Sequence, residues 1–359
     1  MSQAYLVAAA KTVDGQGSLD SVQRYEEQLA ELGIPLQELF IERLDSDWHA
    51  PEKPNHFRSG CGPIEALSHA HQLIADGTPA VAIRGEELIK SGYPRDLRLQ
   101  LMAVYGDDYP LTQGYDDVAQ QFIQNQNIDA DQFRAIAAAL FENYQRSYLS
   151  TLDAQNDVVD VSQATPAARW FELITPLFRG VDCANPLIDF NGVVLLCNAD
   201  TADALNIAQP QRVAVRGVGL GRLAEDGPSE IENIAHYTHM KLAYQRSCEQ
   251  AQIDFSDRFM RGEALLDTYT CYPVVPMAFL LNSGLVSSVD KIPDFLKEYP
   301  ITITGGMNLA RAPWNNPALN GLICMYQQLT SGEISLGAVH GNGGLGYRQG
   351  VAILEREAG

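Results

Sequence analysis

Residues 341–346 read GNGGLG, close to the end of a 359-residue chain. As a pattern this is G-x-G-x-x-G, the fingerprint of a dinucleotide phosphate loop. That motif needs a strand before it, a helix after it, and a further strand with an acidic residue about 20 positions on. After Gly346 only YRQGVAILEREAG remains, and GVAILE reads as a strand. The βαβ unit has no room. The sequence therefore predicts a glycine turn between two strands, ISLGAVHGNGG and YRQGVAILE, and no NAD or NADP site.

Working outward, the rest of the chain alternates strand and helix signals. AYLVAAA reads as a first strand, followed by a helix over SLDSVQRYEEQLAELG with its terminal glycine. SGCGPIEALSHAHQLIADG carries Ile64, Leu67, His71 and Ile74 at helical spacing, with Pro63 in the first turn and Gly77 at the stop. PAVAIRGEE follows as a short buried strand. Residues 88–165 are helical, polar and irregular, and read as an insertion that caps a site. From DFNGVVLLCNA onward strands and helices alternate again, which makes α/β the natural class.

Composition narrows the function. The net charge is −20 and no Lys/Arg cluster marks a face for a nucleic acid or a membrane surface. The six cysteines form no C-x-x-C pair, so a zinc ribbon or thioredoxin motif is not expected. MSQAYLVAAAKT lacks the basic start of a signal peptide, and no uncharged stretch is long enough to cross a bilayer. A reduced cytoplasmic setting is the expectation.

Four loops at element junctions concentrate chemistry: SGCGP, TYTCYP, GGMNLARAPWNNP and VHGNGG. They contain Cys61, Cys271, Asn315, Asn316 and His340. A thiolate is favoured at a helix N-terminus, where Cys61 stands, and a histidine on a glycine loop can act as a general base. Cys61 reads equally as a small core residue, and Cys183, Cys197, Cys248 and Cys324 read as core. His236 and His239 form H-x-x-H with no third ligand placed near, so no metal site is expected. RGVGLG at 216–221 is too short a signal for a nucleotide loop.

The ordered set of these loops resembles the thiolase superfamily over almost the whole chain, from AYLVAAAKT to VAILERE. SGCGPIEALSHAHQLIADGTPAVAIRGEE resembles the block of the catalytic cysteine, and DFNGVVLLCNADTADALNI the block that opens the second half. DTYTCYPVVPMAF stands where relatives carry Asn-Glu-Ala-Phe or His-Asp-Cys-Phe. TITGGMNLARAPWNNPALNGL resembles the Gly-His-Pro block, and VHGNGGLGYRQGVAILE the closing Cys-x-Gly block.

The resemblance implies a five-layer αβαβα sandwich of two repeated halves. Residues 1–87 with 166–188 would form the first half, 88–165 the insertion and 189–359 the second half. It implies an acyl-CoA-handling acyltransferase, acetyl-CoA acetyltransferase-like, or Claisen-type chemistry on a thioester. Coenzyme A would enter only as part of the substrate, with no other cofactor. Cys61 or Cys271 would be the thiol, His340 the base and Asn316 an oxyanion donor. Gly60, Tyr269, Gly305, Gly306, Ala312, Pro313, Gly343 and Gly344 would surround the substrate. A homodimer is also implied, and a small OB-fold-type protein partner is found among relatives.

The departures point the other way. Aligned with the family, the nucleophile position falls on Gly60, with Cys61 one residue late, a turn of about 100° at a helix entrance. The Gly-His-Pro histidine falls on Ala312, the first position of the next block is Tyr269, and the closing cysteine is His340. The alternative is therefore a catalytically degenerate protein that binds acyl-CoA or scaffolds a partner.

Overall fold

The computed structural model describes residues 2–155 and 165–358. The first half contains β1 (Tyr5–Val13), β2 (Gln16–Ser18), α1 (Asp20–Glu31), β3 (Leu36–Ile41), β4 (His56–Phe57), α2 (Gly62–Ala75) and β5 (Ala80–Leu88). The insertion contributes α3 (Arg95–Met102), α4 (Leu111–Gln126) and α5 (Ala130–Gln155); residues 156–164 of the expected insertion lie outside the described residues. Then come β6 (Asp189–Cys197), α6 (Ala199–Ala204), β7 (Val213–Arg222), α7 (Ile231–Ala235), α8 (Thr238–Ala251), α9 (Phe255–Met260) and β8 (Ala264–Asp267). The chain closes through α10 (Val274–Asn282), α11 (Ile292–Glu298), α12 (Gly306–Leu309), α13 (Pro317–Ser331), β9 (Leu336–Gly343) and β10 (Arg348–Arg356).

The strand order is β4-β3-β5-β6-β1-β7-β10-β9-β8, and it contains an internal repeat. In the first half β3 pairs parallel with β5, β5 antiparallel with β6, and β6 antiparallel with β1. In the second, β8 pairs parallel with β9, β9 antiparallel with β10, and β10 antiparallel with β7. The two sets meet edge to edge where Tyr5 and Leu6 pair with Ala214 and Val213.

This pairing corrects the boundary expected from the sequence. Asp189–Cys197 does not open the second half. It lies between β5 and β1, with both edges taken by first-half strands. The halves divide between β6 and β7.

Period-two alternation along the strands builds the layers. On β5, Val81 and Ile83 enter one core cluster, while Ala80 and Ala82 enter another. On β6, Val194 and Leu196 take the first of these and Val193 and Leu195 the second. The first cluster surrounds α2 and α13, each of which contacts strands of both halves. The second lies under α1. On the second half, Ala352 and Leu354 of β10 face α2 and α13, and Val351 and Ile353 face the far side, towards α8. Helix, sheet, helices, sheet and helix follow in order. The α/β five-layer expectation agrees with this arrangement.

Two glycine-rich stretches find their reasons here. On β7, a Cβ at Gly217 or Gly219 would run into the backbone of α8, so those positions let strand and helix approach closely. The GNGGLG stretch is the β9–β10 hairpin: Gly344 and Gly346 have φ of +60° and +115°, and Arg348 pairs with Gly343. Helices α4 and α5 pack on the second half, burying Tyr115, Phe122, Phe133 and Tyr144 in its core. Among the described residues, no helix is long and apolar enough to cross a membrane.

Candidate functional site

A cavity of about 680 Å³ opens where four chain segments converge under the insertion. Gly60 enters from the start of α2, and Tyr269, Cys271 and Tyr272 from the β8–α10 connection. Ala312 and Asn315 come from the loop before α13, and Asn342 and Gly344 from β9 and its turn. Met102, Leu111 and Tyr115, from the segment between β5 and β6, line the far wall of the cavity. Tyr115 and Tyr272 stack with ring centroids 4.2 Å apart, and Thr112 meets the Tyr272 hydroxyl at 3.1 Å. Asp107 is the one charged residue among the described residues lining the cavity.

Gly60, which the resemblance aligns with a nucleophile, carries no side chain, and the space for one is taken. A Cβ built on Gly60 would overlap the Tyr269 hydroxyl and come within 2.5 Å of the Asn342 carbonyl oxygen. The Tyr269 hydroxyl has no hydrogen-bond partner among the described residues, although the residue is 7% exposed. Burial holds its phenol well above the ordinary range, with Cys271 and Cys61 adding to the rise. It is a proton donor at neutral pH, not a base.

Cys61 does not reach the cavity. It is fully buried at the N-cap of α2, and a Cβ on Gly350 of β10 would lie 3.0 Å from its Sγ. Burial pushes its thiol up, the Glu65 carboxylate adds to that, and Arg348 only partly offsets it. Desolvation thus outweighs the helix start, and the residue is core. The expected nucleophile role is corrected on that ground.

His340 is corrected for a different reason. It accepts from the Tyr269 backbone N–H at Nδ1 (3.3 Å), and its Nε2 lies 2.8 Å from Gln349 Oε1. The backbone donor assigns Nδ1 as acceptor, so the proton sits on Nε2 and is given to Gln349. The ring stacks on Phe279 at 4.6 Å, is 1% exposed and does not line the cavity. Desolvation lowers its pKa to about 4, against a smaller contribution from Gln349. A neutral imidazole with both nitrogens committed cannot serve as the cavity's base.

From His340 a polarised chain of hydrogen bonds leads back to the cavity. Gln349 Nε2 donates to Asn342 Oδ1 (2.6 Å) and to the Gly346 carbonyl (2.7 Å). Asn342 Nδ2 donates to the Tyr115 hydroxyl (2.8 Å), which donates to the Gly344 carbonyl (2.7 Å). Asn342 Nδ2 also points at Cys271 Sγ, 3.9 Å away. The fixed carbonyls at Gly346 and Gly344 set the direction of every member. Cys271 is the thiol that lines the cavity, and burial raises it to about 12 even though Tyr115 and two backbone N–H groups favour its thiolate.

The other expected residues divide. Ala312 and Gly344 line the cavity. Asn316 does not: it is fully buried against Gly85 of β5, with both amide atoms unpartnered, while its neighbour Asn315 faces the cavity and donates to the Glu42 carbonyl at 2.9 Å. Gly305 packs on Tyr148, Gly306 on Thr270 and Tyr144, and Gly343 on Ser59. Pro313 faces a separate cavity. His239 turns inward to the Gly346 carbonyl at 2.6 Å while His236 is exposed, so the H-x-x-H pair does not converge. Tyr115, Asn342 and Gln349 were not foreseen. Asn342 alone left a signal, sharing the inward face of β9 with His340 two residues earlier.

No family model and no curated protein matches the sequence. Solved structures do. A monomeric SCP2-thiolase-like protein type 1 from Mycobacterium smegmatis superposes with a TM-score of 0.71 at 16% identity, covering 99% of this chain and 78% of that one. The Ltp2–ChsH2(DUF35) aldolase superposes with a TM-score of 0.62 at 14% identity, covering 99% and 98%. At such identities the likeness is one of architecture: the chain has the thiolase-like fold.

Proposed function

We propose that the protein binds an acyl-CoA thioester in the cavity beside Gly60 and handles it without forming an acyl-enzyme. The observation that carries this reading is the exchange of a nucleophile for a phenol. The place of a side chain at residue 60 holds the Tyr269 hydroxyl, protonated and unpartnered. A thioester carbonyl seated there would accept its hydrogen bond, and the Asn342–Tyr115 chain would hold the surroundings rigid. Apolar and aromatic cover from Met102, Leu111 and Tyr115 suits an acyl group. Cys61, His340 and Asn316, placed away from the cavity, would take no part. Cys271 would contact the acyl group as a neutral thiol.

Direct carbon–carbon chemistry on the bound thioester is the second reading. One neighbour is described as an aldolase, and a phenol donor at the carbonyl is what an enolate-forming step would use. That neighbour is described together with a DUF35 protein, so the small OB-fold-type partner belongs to this second reading. The resemblance implies a homodimer while the other neighbour is described as monomeric, and light scattering on the purified chain decides between the two.

Calorimetric titration with acetyl-CoA and longer acyl-CoAs tests the first reading. Binding is expected, with Tyr269→Phe weakening it by about 1 kcal/mol, the net worth of one hydrogen bond. Intact-mass spectra should show no acyl adduct. Absence of binding at millimolar concentration for every chain length would overturn the proposal.

A further inference from the structure

On the other side of the loop carrying Ala312 lies a second cavity, of about 420 Å³, lined by Lys11 of β1 and by Asn320 and Cys324 of α13. Asn320 and Cys324 are four residues apart and so share one face of α13. The Lys11 ammonium donates to Asn320 Oδ1 at 2.7 Å and lies 3.0 Å from Cys324 Sγ. Lys11 has no carboxylate partner among the described residues, and Asp14, three residues on, pairs with Arg311 at 2.9 Å and Lys90 at 3.1 Å. Lys11 is half-buried and Cys324 is 5% exposed. No other cysteine has a lysine at hydrogen-bond distance among the described residues.

We propose that Lys11 and Cys324 form a peroxide-responsive crosslink site that ties β1 to α13. Hydrogen peroxide entering the cavity oxidises the Cys324 thiol to a sulfenic acid, with release of one water. The Lys11 amine, having given its proton to solvent, attacks that sulfur. The S–O bond breaks, an S–N bond forms and a second water leaves. In sum, one thiol, one amine and one peroxide yield one sulfenamide and two waters. Sulfur loses two electrons and the peroxide gains them. The hydrogen bond already places nitrogen beside sulfur, so no rearrangement of the backbone is required. Excess dithiothreitol reverses the step: a thiolate attacks the sulfur, the amine departs, and a second thiol releases Cys324 as the reductant becomes a disulfide.

The full chain is treated with hydrogen peroxide and digested with a protease that does not cut at lysine. A peptide containing Lys11 should appear joined to one containing Cys324, at their summed mass less two hydrogens, and should separate on reduction. Lys11→Arg keeps the positive charge but cannot condense. In that variant Cys324 should be trapped by dimedone as a sulfenic acid, whereas the native protein gives little dimedone adduct there. Circular dichroism confirms that the variant folds. Equal dimedone labelling of Cys324 in both proteins, or no joined peptide from the native chain, overturns the proposal.

Discussion

The hydroxyl of Tyr269 stands in the space that a side chain on Gly60 would need. The two residues are 209 positions apart in the chain and belong to different halves of the repeat. Their juxtaposition makes a specific demand on any attempt to restore a nucleophile. Gly60→Cys must displace the Tyr269 ring from a packed wall, an overpacking cost of about 1–3 kcal/mol. In a Tyr269→Ala background, where that space is open, the same Gly60→Cys change should cost less. Denaturant melts of the parent, the two single variants and the double measure this. A Gly60→Cys protein as stable as the parent would show that the ring yields freely.

The thiols should rank by access. Cys61 is fully buried with its thiol pushed up by desolvation, whereas Cys271 lines the cavity with a thiol near 12. Neither should alkylate rapidly at neutral pH, and Cys271 should react ahead of Cys61. Timed iodoacetamide labelling with peptide mapping reads the order directly. Acetyl-CoA should leave both unmodified; a stoichiometric acetyl adduct on Cys61 would return it to the role that the sequence first implied.

Much of this was legible in the sequence, and the exceptions have definite causes. Strand and helix alternation and the final hairpin follow from local periodicity and from glycine at Gly344 and Gly346. The half to which Asp189–Cys197 belongs did not follow, because its apolar run identifies a strand but not its partners. The direction of Cys61 was undetermined for a similar reason: one step at a helix entrance swings a side chain from cavity to core. His340 looked like a base because nothing nearby in sequence revealed that Gln349 and the Tyr269 backbone occupy both of its nitrogens. Tyr115 left no signal, because nothing in the sequence places Asn342 at its hydroxyl.

NAD(H) and NADP(H) should not bind specifically. GNGGLG is a hairpin between antiparallel strands, so no helix N-terminus stands behind it to receive a pyrophosphate. Fluorescence titration with either reduced cofactor should show no saturable binding in the micromolar range, and a micromolar dissociation constant would overturn this assignment of the loop.

His340 should make the protein acid-sensitive in a defined window. Its folded pKa of about 4 lies below the ordinary 6.5, so the unfolded chain binds the proton more readily. Above 6.5 both states are neutral at this residue and it adds no slope. As pH falls from 6.5 towards 4 the unfolded state takes up the proton and the folded state does not, so stability declines. The full shift corresponds to about 3 kcal/mol as an upper bound. Glu87 acts in the opposite sense. Burial raises it to about 8, so over the same range acidification relieves the cost of keeping it protonated in the fold. The raw pH dependence of the native protein therefore mixes both. The difference between native and His340→Gln stabilities, measured by urea melts from pH 7 to 4, isolates the histidine. That difference should shift steadily against the native protein as pH falls, because the variant has no group to titrate at this position. A pH-independent difference would show that the imidazole already shares its proton in the fold, and that the hydrogen bonds to Tyr269 and Gln349 are not the ones that hold it.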